Sequence, residues 1–518
     1  MAFEVGTAAN MEDFFTKILN FLTTSPALVE ANQQWEVLEV YRDNLESLAI
    51  NFTEVDSSVA GGKRPIHGMR RDNRTLGSDN PTSANSIGAV QGGGVVAGTS
   101  HMTMKLRVAK EITSVRLRSP YSSAVSTMIS NFRLQYSDDG ATWTTALTVS
   151  SNPTYAMGEQ KSFNVPVATG PRLYWRLRID SLQNGSTTAT TAYWDSVLLM
   201  TASGEIANHF GSECVLKARG NAGADAIYTG LATEYDSAAG WYNLFINGYT
   251  GYDPNVTSWF EQPGALPSYR NQQGGYTLAV PMVPLWNDQM PYWFAASGRS
   301  FRFGVKVSTQ YEGGYMGFIL PYATPGQYPY PLAIGGSLVP TSGSRSDVWR
   351  YSFNSFRHSV FVCPGCGGDP DASAESVDTT LYLRLPDGTW GFVGQRYTRS
   401  GSDPNAIIAS GYSGGTAPTF SGPRRGMWPL STRHHGNTAG FARRDYREIM
   451  GGGYLTQPLI IHQRLPFAAV WGELEGVYQI SGFSNAAENT AVVGGKNHII
   501  LQNVARTEVH EYWSLELS

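Results

Sequence analysis

The sequence predicts a mainly β protein: a discontinuous β-rich core with an N-terminal helix and an inserted β-sandwich domain. Three observations carry this. Short runs alternate apolar and polar residues with a period of two, the mark of half-buried strands. One stretch near the start carries an apolar stripe at helical spacing, and no long helical periodicity follows it. Finally, 56 glycines and 27 prolines make about one residue in six a chain breaker, while aromatics reach 12% and charged residues only 15%. At 518 residues the chain exceeds an ordinary single domain, so two or three units are expected.

The helix is read from Met11, Phe14, Phe15, Ile18, Leu19 and Leu22, which recur at three- and four-residue intervals. Asn10 suits its N-cap, Asp13 its first turn, and Pro26 stands beyond its end. Its stripe is expected to pack on the protein's own core, with an assembly contact as the alternative. A β-like run follows at Trp35 to Tyr41. From Val55 to about Gly98 the composition turns to Gly, Ser, Asn, Asp and Arg, which marks a loop-rich boundary.

Clean alternation then begins. In "SVRLRS" Val115 and Leu117 share one face and Arg116 and Arg118 the other. "FRLQYS" puts Phe132, Leu134 and Tyr136 on one face. "WRLRID" sets Trp175, Leu177 and Ile179 against Arg176, Arg178 and Asp180. One apolar face per strand means antiparallel sheets stacked as a sandwich. Beyond Glu213 the best strand candidates are "RFGVKVST", "TLYLRLPDG", "TWGFVG", "GVYQISGF" and "HIILQNV", separated by long loops such as "LPYATPGQYPYPLAIGG" from Leu320. There is no fixed-period repeat, which argues against a propeller or solenoid. "WEVLEV" stops and "ECVLKA" resumes a similar run, as expected if a sandwich with neighbouring termini is inserted between them. The expected units are residues 1–54, 55–202 and 203–518.

With 38 basic against 42 acidic residues, the charge balance excludes a general nucleic-acid binder. No window approaches 18 consecutive apolar residues, so no membrane insertion is expected. "MAFEVGTAANMEDFF" lacks a basic segment followed by an apolar one, so synthesis in the cytoplasm without a signal peptide is expected. Three cysteines cannot build a disulfide framework.

Several short motifs invite chemistry. "SDDGATW", Ser137 to Trp143, is one residue short of the S-x-D-x-G-x-T-W Asp box and occurs once. It also lacks the distal Glu of a calcium loop. A hairpin turn accounts for it best: acidic residues, a glycine for positive φ, then a strand restarting at Thr142 and Trp143. "GYSGG" matches G-x-S-x-G with Ser413 as nominal nucleophile, and Asp445 and His462 lie downstream. Pro418 and Pro423 forbid the helix that a nucleophile elbow needs, so it reads as a loop. "CPGC" (Cys363, Cys366) has half a zinc site's spacing. The two remaining ligands of four would have to come from Cys214, His358, His434 or His435, and a turn bearing two reduced thiols is the simpler reading. Adjacent His434 and His435 would point to opposite faces of a strand. Arg443, Arg444, Arg447, Asp445 and Glu448 read as a solvated or interfacial cluster. "GGGVVAG" has no βαβ unit around it, and no P-loop or H-E-x-x-H is present. No catalytic residue, cofactor site or metal site is expected.

"ITSVRLRS", "ISNFRLQYSDDGATWTT" and "GPRLYWRLRI" together resemble the discoidin family, also called the F5/8 type C or galactose-binding-like module. The resemblance implies a jelly-roll sandwich whose ligands, often sugars or lipid headgroups, bind at loops on one end. By that analogy Tyr121 and Asn184 are the candidate carbohydrate-binding residues, an aromatic face and an amide suiting a sugar. Outside this module, four stretches resemble a family of tailed-bacteriophage virion proteins. They are "DFFTKILNFLTT", the block "ECVLKARGNAGADAIYTGLATEYDSAAGWYNLFINGYTGYD", the stretch from "VPLWNDQMPYWF" to "YPLAIGG", and the close "GVYQISGFSNAAENTAVVGGKNHIILQNVARTEVHEYWSLEL". That resemblance implies a structural tail or baseplate component found in the virion. Its partners would be other virion proteins and further copies of itself. A host-surface glycan is the partner of the alternative reading, host recognition through residues 55–202. A polysaccharide hydrolase is a third, for which the sequence offers no constellation.

Overall fold

The computed structural model describes residues 1–54, 90–120, 123–186, 188, 190–204, 211–236, 241–256, 259, 262–266, 280–337, 361, 381–393, 424–428, 456–465, 468–480, 487–502 and 512–517. The protein is mainly β, with the expected helix at Met11–Thr24. Its first turn is held reciprocally: Asn10 Oδ1 accepts from the Asp13 amide at 2.9 Å, and Asp13 Oδ2 accepts from the Ala9 amide at 2.7 Å. Pro26 does follow its end, but it occupies the first turn of a second short helix, Pro26–Glu30. The apolar stripe packs on the protein itself. Phe14 meets Tyr292, Phe294 and Phe303 edge-on at 6.0, 5.5 and 5.7 Å.

Those three rings belong to a central seven-stranded sheet. Its order is Ala2–Ala8, Met290–Ala296, Ser300–Val307, Gln310–Phe318, Leu332–Gly335, Leu381–Arg384 and Trp390–Val393. Alternation gives this sheet two working faces. Phe301, Phe303 and Val305 face the helix, while Arg302 and Gly304 face a further sheet built from strands of the C-terminal part, Ala469–Ile480, Lys496–Gln502 and Tyr512–Glu516 among them. Gly304 is required by that approach: a Cβ there would lie 2.4 Å from Leu501 and 3.0 Å from Trp513. Two elements of the central sheet escape the sequence pattern. Ala2–Ala8 buries its two terminal alanines and turns Phe3 and Val5 outward, the reverse of an ordinary amphipathic strand. Leu332–Gly335, inside the run expected as a loop, is a strand buried along its whole length, so it shows no alternation.

Arg302 is completely buried, and Glu475 across the interface answers it. Arg302 Nη1 lies 3.7 Å from Glu475 Oε2 and donates to Ser300 Oγ at 2.9 Å; Ser297 Oγ donates to the same carboxylate oxygen at 2.8 Å. Burial pushes the Glu475 carboxyl up, but Arg302 and the two serine hydroxyls hold it below the usual glutamate range.

A second sheet of the core explains the insertion. Its order is Met282–Leu285, Trp241–Tyr249, Ile227–Asp236, Glu213–Ala218 and Glu36–Tyr41. The last two pair antiparallel, with Tyr41 opposite Glu213, so the chain leaves and re-enters the core at adjacent positions. Between them stands the sandwich. One sheet runs Leu45–Ile50, His101–Lys110, Arg172–Leu182, Ile129–Ser137 and Thr144–Val149, and faces Gln160–Asn164, Ser114–Arg118 and Ser196–Met200. A third small sheet joins Thr190–Trp194, Val90–Val95 and Thr53–Glu54. Leu45–Ile50 and Thr53–Glu54 thus pair with sandwich strands, Leu48 opposite Met104 and Thr53 opposite Gly93. Strand pairing carries the sandwich back to Leu45, ahead of the residue 55 read from composition.

The junction is a polar knot at one end of the sandwich. Asp43 Oδ2 accepts from Tyr235 of the core at 2.9 Å and from Arg107 of the sandwich at 3.1 Å, while its Oδ1 accepts from the Leu45 amide at 3.1 Å. Its own amide donates to Ser212 Oγ at 3.0 Å, and Ser212 in turn donates to Glu12 of the helix at 2.7 Å. Burial pushes the Asp43 carboxyl up to about 6, Arg107 opposing and the Glu12 carboxylate adding to it.

Two outcomes follow for stability. Glu475→Ala is expected to cost about 3–5 kcal/mol in urea unfolding, because it strands a buried guanidinium, and Glu475→Gln is expected to cost less. Asp43 binds its proton more tightly folded than unfolded, so its contribution is full below about pH 4 and is lost as pH rises through about 6. The urea midpoint of Asp43→Asn is therefore expected to lack that decline between pH 4 and 7, a difference on the order of 2 kcal/mol.

Candidate functional site

The strand register sorts the sandwich loops into two groups. Tyr174 pairs with Ser137, and Arg172 with Lys110, at the end that carries Leu45 and the Asp43 knot. Leu182 pairs with Ile129, and Arg178 with His101, at the opposite end. That distal end gathers the turn after Val95, the short helical turn Ser123–Thr127, the loop after Val149 and the turn after Leu182.

Amide side chains lace these distal loops. Asn51 donates to the Thr99 carbonyl at 2.8 Å and accepts from the His101 amide at 2.7 Å. Asn131 donates to Asn152 Oδ1 at 2.6 Å, and the Asn152 amide donates back to Asn131 Oδ1 at 2.9 Å. Gln183 and the Tyr155 backbone exchange two bonds, at 2.8 and 3.2 Å. Asn184, the expected amide ligand, is exposed at the same end, and its Oδ1 already accepts from the Ser186 amide at 2.9 Å. Its carbonyl oxygen closes an Asx turn, which sequence alone does not reveal. Tyr121 lies outside the described residues.

"SDDGATW" is the hairpin turn, at the junction end. Ser137 Oγ accepts from the Gly140 amide at 2.9 Å, and Asp139 Oδ1 accepts from the Ala141 and Thr142 amides at 2.8 and 2.7 Å. The Thr142 and Ala141 amides and the Ser137 hydroxyl hold the Asp139 carboxyl far below the usual range. Gly140 sits at φ +72°, where a Cβ would press on the Tyr174 ring at 3.1 Å. Arg172 Nη1 contacts both oxygens of Asp138 at 2.7 Å. Asp139 Oδ1 is committed to closing the turn and Asp138 pairs with Arg172, the bonding of a hairpin.

The other motifs fall apart in space or outside the described residues. Ser413, Asp445, Cys363, Cys366, His358, His434, His435, Arg443, Arg444, Arg447 and Glu448 all lie outside them. His462 is half-buried on Thr456–Leu465, opposite Val470. Cys214 is buried in Glu213–Ala218, and burial pushes its thiol up to about 12, so it is a core residue and no nucleophile. Among the described residues no group of three or more His, Cys, Asp or Glu is arranged to hold a metal. Among them, too, no helix is long and apolar enough to cross a membrane.

Fold and surface together define a mainly β protein that carries an antiparallel sandwich on one end-tethered junction. The sandwich is an F5/8 type C domain: that family's model matches residues 73–193. Strand pairing extends the unit on both sides of the matched segment, from Leu45 to Met200. Among solved structures, the chain is similar to a family 32 carbohydrate-binding module of a family 31 glycoside hydrolase from Clostridium perfringens, with 13% identity, TM-score 0.20, and coverage of 30% of this chain and 96% of that one. It is similar to the family 32 module of C. perfringens NanJ in complex with galactose, with 11% identity, TM-score 0.19, and coverage of 29% and 90%. It is also similar to the F5/8 type C domain of a Bacteroides fragilis protein, with 12% identity, TM-score 0.21, and coverage of 32% and 95%. Curated proteins gave no match.

Proposed function

We propose that the chain acts by binding and not by catalysis, its F5/8 type C sandwich holding a carbohydrate at the distal loop end. The observation that carries this reading is the pairing of Tyr41 with Glu213 beside the Asp43 knot. It anchors the sandwich at the end opposite the distal loops. The family match over residues 73–193 supports it, since sugars are frequent ligands of such modules. Exposed amides at these loops suit hydroxyl-rich ligands, which would compete for oxygens that already accept within the loops.

On a glycan array the full-length chain is expected to bind a defined subset of sugars. Asn184→Ala is expected to weaken that binding by about five- to tenfold, the worth of one hydrogen bond. A blank array with folded protein would overturn the reading.

A second reading concerns the rest of the chain. Residues 1–50 and 205–518 resemble tailed-phage virion proteins, and the core carries an exposed apolar edge that suits assembly. Ala2–Ala8 is the edge strand of the seven-stranded sheet, with Phe3 51% and Val5 55% exposed. In this reading the protein is a virion component, contacting further copies of itself and other virion proteins. Light scattering is expected to give an oligomer for the wild type and a smaller species for Phe3→Glu/Val5→Glu, with little change in thermal melting. A wild-type monomer that is absent from purified particles would end this reading.

A further inference from the structure

The outer face of the five-stranded sandwich sheet carries cations that its fold does not need. Residues facing away from the sandwich core alternate with Trp175, Leu177 and Ile179, so Tyr174, Arg176, Arg178 and Asp180 point outward from the central strand. The register then places Arg133 directly opposite Arg178 on one side, and His101 opposite it on the other. Like charges at directly paired positions repel. One carboxylate answers them: Asp180 takes Arg133 Nε at 2.9 Å and stands 3.4 Å from Arg178 Nε. The Arg176 guanidinium bonds a neutral group, donating from Nε and Nη2 to Gln135 Oε1 at 3.0 and 2.8 Å. Three guanidiniums against one carboxylate leave an excess of positive charge in the middle of an otherwise ordinary sheet face.

Aromatic rings flank this charge. The Arg176 guanidinium lies over the Trp143 ring, 4.2 Å from its centroid. Tyr174, next outward on the same strand, lies under Lys105 at 5.9 Å. Arg133 and Arg178 keep 41% and 31% of their side-chain surface exposed, and Trp143 is also partly exposed. Planar guanidiniums that match carboxylate and sulfate geometry, set beside half-exposed rings, are the chemistry that recognises a charged sugar ring.

We propose that this sheet face binds an acidic polysaccharide, its carboxylates or sulfates seated on Arg176 and Arg178 and its pyranose rings against Trp143. The site lies on the side of the sandwich, stands apart from the distal loops, and does not depend on a sugar binding there.

The test uses the full-length chain and four probes in solution: polygalacturonate, dextran sulfate, neutral dextran and a single-stranded DNA oligonucleotide. Polygalacturonate or dextran sulfate is expected to bind, and to bind less tightly as salt rises. Which of the two binds better separates carboxylate from sulfate as the recognised group. Arg176→Gln/Arg178→Gln is expected to lose about tenfold or more in affinity. Thr103→Glu, opposite Arg176 on the neighbouring strand, is expected to do the same without touching an arginine, which keeps the test valid if the double variant unfolds. Glycans bound at the distal end are expected to keep their affinity in both variants. Equal binding by the wild type and Thr103→Glu, no binding of either acidic polymer, or equally tight binding of the DNA would each overturn the proposal.

Discussion

The antiparallel contact between Glu36–Tyr41 and Glu213–Ala218 is the constraint on which the rest depends. It closes a long excursion of chain, and the entropic cost of closure grows slowly, by about 0.6 kcal/mol for each doubling of loop length. A folded unit inserted there costs the core little, provided that its ends meet. They do, since Leu45 leads into the first sandwich strand just after Tyr41, and Met200 ends the last one shortly before Glu213. The Asp43 knot then fixes the angle. It joins Arg107 of the sandwich to Tyr235 of the core through one buried carboxylate. A raised proton affinity is the consequence of asking a single buried group to serve two domains.

The core can hold such a side domain because its central sheet is supported on both faces. One face rests on the helix through Phe14; the other meets the C-terminal sheet through Gly304 and the Arg302–Glu475 pair. A buried ion pair contributes little net stability over an apolar pair, but it penalises misalignment heavily. Sliding the two sheets past each other would separate Arg302 from Glu475.

What the sequence makes legible follows the periodicity of burial. Trp175, Leu177 and Ile179 announce their strand because one face is buried and the other wet, and the helix announces itself through the stripe from Met11 to Leu22. Strands that break this rule stay hidden. Leu332–Gly335 is buried on both faces, and Ala2–Ala8 hides small residues while exposing large ones. Register is equally invisible, so the sequence shows Arg176 and Arg178 pointing outward but not that Arg133 stands opposite Arg178. The Asn184 amide illustrates the same limit at the candidate site. Residue type suggests a ligand for sugar hydroxyls, while the local turn claims its oxygen.

These two surfaces of the sandwich obey different physics, which is why they should be weighed separately. The distal loops are held by neutral amide bonds, and a ligand there competes with bonds already made, as at Asn184. The sheet face is the opposite case. Gln135 leaves Arg176 without a counter-charge, and Asp180 is divided between Arg133 and Arg178. Such an arrangement stores repulsion that an anionic ligand would relieve, so binding there gains from the fold's own unfavourable electrostatics. A strand pattern that asks only for polar outward residues would be satisfied as well by serine or threonine. Instead Arg133 and Arg178 share Asp180, and Arg176 lies between Gln135 and the Trp143 ring, a departure from the local rule of the kind that binding surfaces show.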